Sequence, residues 1–401
     1  SAGHRLTSSR RVRRLRTTLV VVEIALAGVL CAGSIQLWRH YRALAAADHG
    51  FTTDGVLTFR VAIPVPTQPE PGAIGLRIDA LRQALIGIDG VRHVGATTNL
   101  PWSGYDENAD LRVVGRGMRD EASTSVRYQA ATDGYFEAMG MRVLGGRTFD
   151  ATLDTRERPL VLVINDAAAR QAFPAGDAVG ARVRAFGEER EVIGVVRGVG
   201  DFPTSTGVEP AMWFPLAQVE FVDLFFTLRV DGPVPTSRLD AVRTALARVD
   251  PFLPISDVQT MAARGDAALA EQRLALRLFQ AFAGLSLVLA ASGLYGLLAY
   301  VVHQRRKEMG IRAAVGATRA DLARLVLRDS LTMAVVGALA CAAILPTASA
   351  AWMTWTSGLG ALDGWTWAGT PTVLLAIALG ASIGPARLAA RQVDGAALKE
   401  D

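Results

Sequence analysis

Four long apolar segments restrict what this chain can fold into. They cover residues 17–38, 276–302, 330–355 and 364–386, and each is long enough to cross a bilayer as a helix. Half of all residues are apolar and one fifth are charged, so the mean hydropathy is positive. We therefore predict a multi-pass membrane protein. Glu23 is the only acidic residue inside the first segment, and we expect its carboxylate to reach the membrane surface or a polar group on a neighbouring helix.

The distribution of charge predicts how these spans are oriented. Residues 1–16, the loop 303–329 and the tail 387–401 together hold sixteen basic and six acidic residues, although the whole chain carries only +4. Basic residues accumulate on the cytoplasmic side of membrane proteins, so we expect both termini and this loop to be cytoplasmic. The arginine excess reflects topology, and we expect the lipid bilayer as partner and no nucleic acid.

The segment between the first two spans, residues 39–275, has the pattern of an extracytoplasmic α/β domain. A strand at 55–63 precedes a helix over 70–88 that presents leucines, including Leu76, on one side. A similar order of strand, helix and strand returns over residues 224–258.

We predict that these two ends pack together as a membrane-proximal subdomain, residues 50–104 and 217–262. A strand-rich subdomain, residues 105–216, is inserted between them. The predicted fold class is an α-helical four-span bundle plus a large mixed α/β extracytoplasmic domain made of two subdomains.

The basic loop 303–329 has the pattern of two short helices joined by a tight corner. Gly316 can supply the left-handed residue that ends the first helix, and Thr318 with Asp321 has the spacing of a capping box for the second. We expect the corner to lie on the membrane surface with its arginines towards water. The apolar positions at helical spacing are Ile311, Ala314 and Val315 before the glycine, and Leu322, Leu325 and Val326 after it.

This loop also resembles a known family. The sequence RRKEMGIRAAVGATRADLARLVLRDS is similar to the signature loop of the FtsX-like permeases, and an ordinary amphipathic loop explains its arginines but not its GIR and GA steps. The positions that match the family pattern are Arg305, Arg306, Glu308, Gly310, Ile311, Arg312, Gly316 and Ala317.

Three further stretches extend the resemblance over nearly the whole chain. Residues 135–149 (YFEAMGMRVLGGRTF) and 161–183 resemble the extracytoplasmic domain of macrolide-exporter-type permeases, in which one subdomain is likewise inserted into another. Residues 385–399 resemble the closing basic tail of the family. The chain is also similar to the C-terminal half of a duplicated permease of the acidobacterial type, which implies that it is part of a longer protein.

The resemblance implies the permease (transmembrane) subunit of an ABC-type transporter that works by mechanotransmission in the inner (plasma) membrane of a bacterial cell. In this scheme a separate cytoplasmic ABC ATPase hydrolyses ATP, the loop 303–329 couples to it, and the extracytoplasmic domain changes conformation for export or extraction of a substrate. Glu308 would pair with Arg312 four residues later or with a basic residue of the ATPase. A second permease copy or homologous half and a periplasmic protein are further expected partners.

The sequence gives no sign of chemistry carried out by this chain itself. Its two lysines, Lys307 and Lys399, do not follow glycine, so the phosphate-binding motif GxxxxGK[ST] does not occur. We therefore expect no cofactor on this chain, with ATP and Mg²⁺ on the partner. The five histidines are scattered without metal-ligand spacing, and we expect neither a metal site nor an enzyme.

Two other functions are compatible with parts of the sequence. A membrane-anchored sensor or scaffold would bind a partner through the exterior domain without transport, but would not need a structured cytoplasmic corner. An intramembrane hydrolase could use Ser382, which lies in a literal GxSxG match at residues 380–384. That interpretation requires a paired base, and the sequence offers none.

The orientation can be tested by labelling from outside the cell. In a background without Cys31 and Cys341, a membrane-impermeant thiol reagent should modify a cysteine at position 154 and spare one at position 319. The reverse pattern would overturn the assigned topology.

Overall fold

A computed structural model describes residues 3–64, 72–104, 107–115, 123–174, 176–200, 208–232, 234, 236–355 and 364–390. The chain divides into two compact units. The helical unit consists of residues 1–43 and 271–401, and the α/β unit consists of residues 44–270.

The described helices are α1 (Gly3–Ala45), α2 (Ala73–Ile86), α3 (Tyr135–Met139), α4 (Asp166–Ala172), α5 (Thr236–Val249), α6 (Met261–Ala268), α7 (Ala270–Gln304), α8 (Arg306–Ala314), α9 (Arg319–Trp355) and α10 (Gly364–Ala390). The described strands are β1 (Val56–Ala62), β2 (Val91–Thr97), β3 (Asn108–Val113), β4 (Thr124–Ala131), β5 (Val143–Gly146), β6 (Val161–Asn165), β7 (Arg182–Ala185), β8 (Glu188–Val196), β9 (Ala211–Pro215), β10 (Asp223–Val230) and β11 (Ile255–Thr260).

Among the described helices, four are long and apolar enough to cross a membrane, namely α1, α7, α9 and α10. Together with the α/β unit they confirm the predicted fold class. We expected two short helices in the basic loop. This expectation is wrong for the second helix, because the residues after the corner form the first turns of the long helix α9. Residues 319–330 contain neither glycine nor proline, so nothing in the backbone ends the helix before the apolar stretch begins.

The helices of the helical unit pack through small and branched apolar residues. Val20 and Ile24 of α1 are buried in one cluster with Ala290 and Leu294 of α7. A Cβ at Gly337 of α9 would lie 2.5 Å from the Ile24 Cγ2 atom, so glycine permits α9 to approach α1 closely.

Glu23 lies on α1 beside Gly293 of α7, where a Cβ would lie 2.5 Å from its Oε2 atom. Among the described residues this buried Oε2 atom has no hydrogen-bond partner. The neighbouring polar group expected from the sequence is therefore not found for this oxygen.

The eleven described strands of the α/β unit form one sheet, in which the first four in spatial order, β11, β1, β10 and β2, come alternately from the two ends of the unit. The order is β11-β1-β10-β2-β4-β3-β7-β8-β6-β9, with β5 paired to β8. β1 pairs antiparallel with β10 from Val56↔Arg229 to Ala62↔Asp223, and with β11 on its other side. α2 packs against α5 and β2, and Ile74, Ile78, Leu81 and Leu85 of α2 are buried.

The sheet narrows between β2 and β4. In the described part of the chain one residue pair, Thr97↔Ala131, joins these strands. Backbone bonds from Thr98 N–H to the Ala130 carbonyl and from Thr132 N–H to the Ala96 carbonyl, both 2.9 Å, flank the pair. We call this narrow link the waist of the sheet.

The chain that follows α1 is fixed against the loop after β8. The Gly200 N–H donates to the His49 carbonyl at 3.0 Å, and Arg197 pairs with Asp48 at 2.8 Å. The Trp102 ring lies 4.9 Å from the His49 ring, edge to face. This segment therefore holds the start of the α/β unit against strands that come from its middle.

Asp154 is unsuitable as a labelling position because it is only 2% exposed. Its carboxylate accepts two bonds from Arg147, at 2.6 and 2.7 Å, and one from the Asp150 N–H at 2.9 Å. Glu157, which is exposed three residues later, can take its place, and the expected result of the labelling experiment is unchanged.

We predict that acid weakens the α/β unit through His49. Burial lowers the pKa of His49 below its ordinary 6.5, against smaller raising effects of the Leu44 backbone and the Asp48 carboxylate. The folded state then binds this proton less tightly than the unfolded state, so the free energy of unfolding falls as the pH drops below about 6.5. In His49→Gln, the melting temperature of the full chain should decline less steeply from about pH 6.5 to 5.

The matched control is His93→Gln, which removes an exposed imidazole from β2. It should keep the pH dependence of the wild type. Equal slopes in the wild type and in His49→Gln would contradict the assignment to His49.

Candidate functional site

The corner between α8 and α9 brings the predicted site residues into one short stretch of the helical unit. Arg305 lies in the turn before α8; Arg306, Glu308, Gly310, Ile311 and Arg312 lie on α8; and Gly316 and Ala317 lie in the turn before α9.

Gly316 ends α8 in the way the sequence predicts. Its φ angle is +100°, and the Ala317 N–H donates to the Arg312 carbonyl at 3.0 Å. This six-to-one bond around a left-handed residue is a Schellman motif, in which glycine avoids the penalty that a Cβ would bring. The predicted left-handed helix end is confirmed.

The predicted capping box of the second helix is also confirmed. The Asp321 N–H donates to the Thr318 hydroxyl oxygen at 3.3 Å, and the Thr318 N–H donates to the Asp321 Oδ2 atom at 3.0 Å. These reciprocal bonds satisfy backbone donors that the first turn of α9 would otherwise leave open. The corner is thus fixed at both helix ends.

α8 is anchored to the helical unit by Met309. This side chain is 2% exposed and lies in one buried cluster with Val302 of α7 and with Leu322 and Val326 of α9. The sequence prediction missed Met309. The signal was present, since Met309 follows Val302 by seven residues and so extends the inner side of α7 across the short break at Arg305.

Two of the apolar residues that fall at helical spacing before Gly316, Ile311 and Val315, are uncovered. Ile311 is 66% exposed and Val315 is 84% exposed, and they lie four residues apart at the end of α8. A Cβ at Gly310 would meet no atom within 4 Å, so the space beside this pair is open. α8 therefore has one apolar surface against the bundle and a second one without a partner among the described residues.

Charged side chains border this uncovered surface. Arg312 donates to the Glu308 carboxylate at 2.8 Å, and both side chains are about half exposed. The predicted pairing at i,i+4 is confirmed. At this exposure the pair contributes only about 0.3–0.5 kcal/mol to the helix, so folding does not depend on it.

In the described part of the chain, the hydrogen-bond partners of Ser382 include no base that could activate it. Its hydroxyl is buried between the Ser330 hydroxyl and the Ala378 carbonyl, and within the described residues it has no hydrogen bond to a basic or acidic side chain. The GxSxG match therefore joins α10 to α9 and does not form a nucleophile site.

Comparison with known proteins covers both units. Residues 45–249 match the family described as the MacB-like periplasmic core domain, and residues 281–393 match the FtsX-like permease C-terminal family. The first match alone covers more than half of the chain.

Individual relatives are distant. The chain is 26% identical over 250 residues to the macrolide export ATP-binding/permease protein MacB 2 of Aeromonas hydrophila, covering 58% of this chain and 37% of that protein. It is 23% identical over 264 residues to the uncharacterized ABC transporter permease YknZ of Bacillus subtilis, covering 64% of this chain and 62% of that one. It thus spans less than two thirds of either relative.

Among solved structures, the periplasmic region of MacB from Actinobacillus actinomycetemcomitans aligns with 56% of this chain and 96% of its own, at 14% identity. Its TM-score of 0.38 is too low for this similarity to bear on the assignment. The assignment rests on the two family matches: the chain belongs to the ABC-transporter permeases of the MacB/FtsX type.

Proposed function

We propose that this chain transmits the motion of a cytoplasmic ABC ATPase to the α/β unit, for export or extraction of a substrate. ATP and Mg²⁺ are bound and used by the ATPase and not by this chain. A second copy of the permease, or a homologous half, completes the membrane assembly, because four spans make a small unit on their own.

The uncovered surface of α8 is the observation that carries this proposal. An apolar centre, formed by Ile311 and Val315, with charged residues such as Glu308 and Arg312 around it is the usual composition of a protein-docking surface. From the positive-inside rule we infer that this surface lies in the cytoplasm, where an ATPase can reach it.

The corner next to this surface is suited to pass on a displacement. The Schellman motif and the capping box fix the angle at which α9 leaves α8. From Arg319 to Trp355, α9 is one helix with Pro346 in its interior, so a rotation of its first turn is passed along the helix at least as far as that proline. At its other end, α8 follows α7 after Arg305. Only Leu269 separates α7 from α6, and α6 follows β11 directly.

We predict that Gly316→Val separates ATP hydrolysis from the motion of the α/β unit. No atom lies within 4 Å of a Cβ at this position, so the backbone conformation alone opposes the change. A β-branched residue at positive φ is strained by about 1–2 kcal/mol, and relaxation would change the direction of α9. The measurement is the ATP-dependent change in distance between spin labels at positions 157 and 320, in the chain reconstituted with the ATPase that co-purifies with it.

The matched control is Gly316→Asn, because asparagine tolerates the left-handed conformation. It should keep both the ATP hydrolysis and the distance change of the wild type. If Gly316→Val keeps the wild-type distance change as well, the coupling role of this corner is wrong.

We predict that Glu308 acts on the partner and not through Arg312. Glu308→Arg should reduce copurification with the ATPase several-fold and leave the melting temperature unchanged, since the lost intrahelical pair is worth only about 0.3–0.5 kcal/mol. The double variant Glu308→Arg with Arg312→Glu restores that pair in reversed order. It should remain defective, and recovery to the wild-type level would show that the intrahelical pair alone matters.

A further inference from the structure

A cleft of about 260 Å³ lies beside the α8–α9 corner. The residues that line it include Arg312, Arg324 and Arg328, together with Asp321, Leu322 and Leu325. Arg324 and Arg328 follow each other at one helical turn, so their side chains lie on the same side of α9. The cleft is therefore a concentration of positive charge with an apolar wall.

Asp321 carries the one carboxylate among the described residues that line the cleft, and it does not neutralise the three arginines. Asp321 is engaged in the capping box with Thr318 and lies 3.7 Å from Arg324. Arg312 pairs with Glu308 outside the cleft. Among the described residues Arg328 forms no ion pair, and its neighbour Asp329 faces Arg305 at 3.8 Å. Arg328 therefore has open donors, and Arg324 is held only loosely by Asp321. Both guanidinium groups can bind an anion.

Contacts between the helix ends indicate the level at which this cleft lies relative to the membrane surface. The Arg16 guanidinium of α1 lies 4.7 Å from the centre of the Tyr300 ring of α7, and Arg305 at the end of α7 pairs with Asp329 of α9. These arginine and tyrosine contacts mark the level where apolar helix meets water. The uncharged part of α9 begins at Ser330, so the Arg328 Cα lies about 3 Å along the helix from it, and the Arg324 Cα about 9 Å. Both side chains reach the layer that lipid headgroups occupy.

We propose that this cleft binds the phosphate of an anionic phospholipid from the adjacent leaflet, held by Arg324 and Arg328. Guanidinium groups bind phosphate oxygens in a forked geometry, and Leu325 offers an apolar surface next to them. The position at the edge of the span favours a lipid phosphate over a soluble one, because the lipid is already concentrated there. The proposal depends on α9 crossing a membrane and not on the coupling function.

The test uses the full chain, purified in a zwitterionic detergent and titrated with phosphatidylglycerol while bound lipid is counted by native mass spectrometry. The wild type should bind phosphatidylglycerol more tightly than phosphatidylcholine, and added salt should weaken the binding. Arg324→Gln with Arg328→Gln should lower the affinity about thirtyfold, since each arginine near an anionic surface contributes about a factor of five. Both side chains are exposed, so the melting temperature should not change.

The matched control is Lys307→Gln with Arg319→Gln, which removes the same charge from exposed positions that do not line the cleft. It should bind phosphatidylglycerol like the wild type. Wild-type lipid binding by the cleft variant would overturn the proposal, as would an equal loss in the control.

If millimolar inorganic phosphate displaces the lipid, the cleft is a soluble-anion site. If the cleft variant loses the ATPase while lipid binding is unchanged, the cleft is a protein contact; either result would also overturn the proposal.

Discussion

The antiparallel pairing of β1 with β10 is the contact on which the architecture of the α/β unit depends. β1 follows the first span, whereas β10 and β11 precede the second, so this pairing joins the two ends of a very long connection. Phe59 and Phe226 stack at 5.6 Å between the paired strands, and the Thr58 hydroxyl donates to the Gln259 carbonyl at 2.9 Å. Once the two ends are joined, the middle strands form an insertion that does not have to hold the spans together.

The features that could be predicted from the sequence are those set by neighbouring residues. The spans follow from the transfer of apolar side chains out of water, which depends on local composition. The left-handed Gly316 and the reciprocal bonds of Thr318 and Asp321 follow from the stereochemistry of a few residues. For that reason the corner, and with it much of the candidate site, can be predicted from a short stretch of sequence.

The features that were missed depend on which side of an element meets a distant partner. The sequence pattern groups Leu76 with the other leucines of α2 on one side, yet Leu76 is 75% exposed, and Ile74 and Ile78 are buried instead. Ile311 and Val315 have the spacing of a buried stripe, but Met309 is the residue that the bundle covers. The order of the eleven strands is likewise set by pairings between remote segments, to which local propensity gives no access.

The waist between β2 and β4 has a mechanical consequence. A sheet resists stretching along its strands through covalent bonds, but its own resistance to opening between strands comes from the hydrogen bonds that cross the gap. At Thr97↔Ala131 that crossing is short, whereas β1 and β10 are bonded along their full length. Side chains supply the stiffness that the short crossing lacks, because the buried clusters extend over both sides of it: Val94 and Val126 lie in one cluster, and Val56 and Ala131 lie in another. The inserted strands are thus joined to the rest of the sheet more by side-chain packing than by backbone bonds.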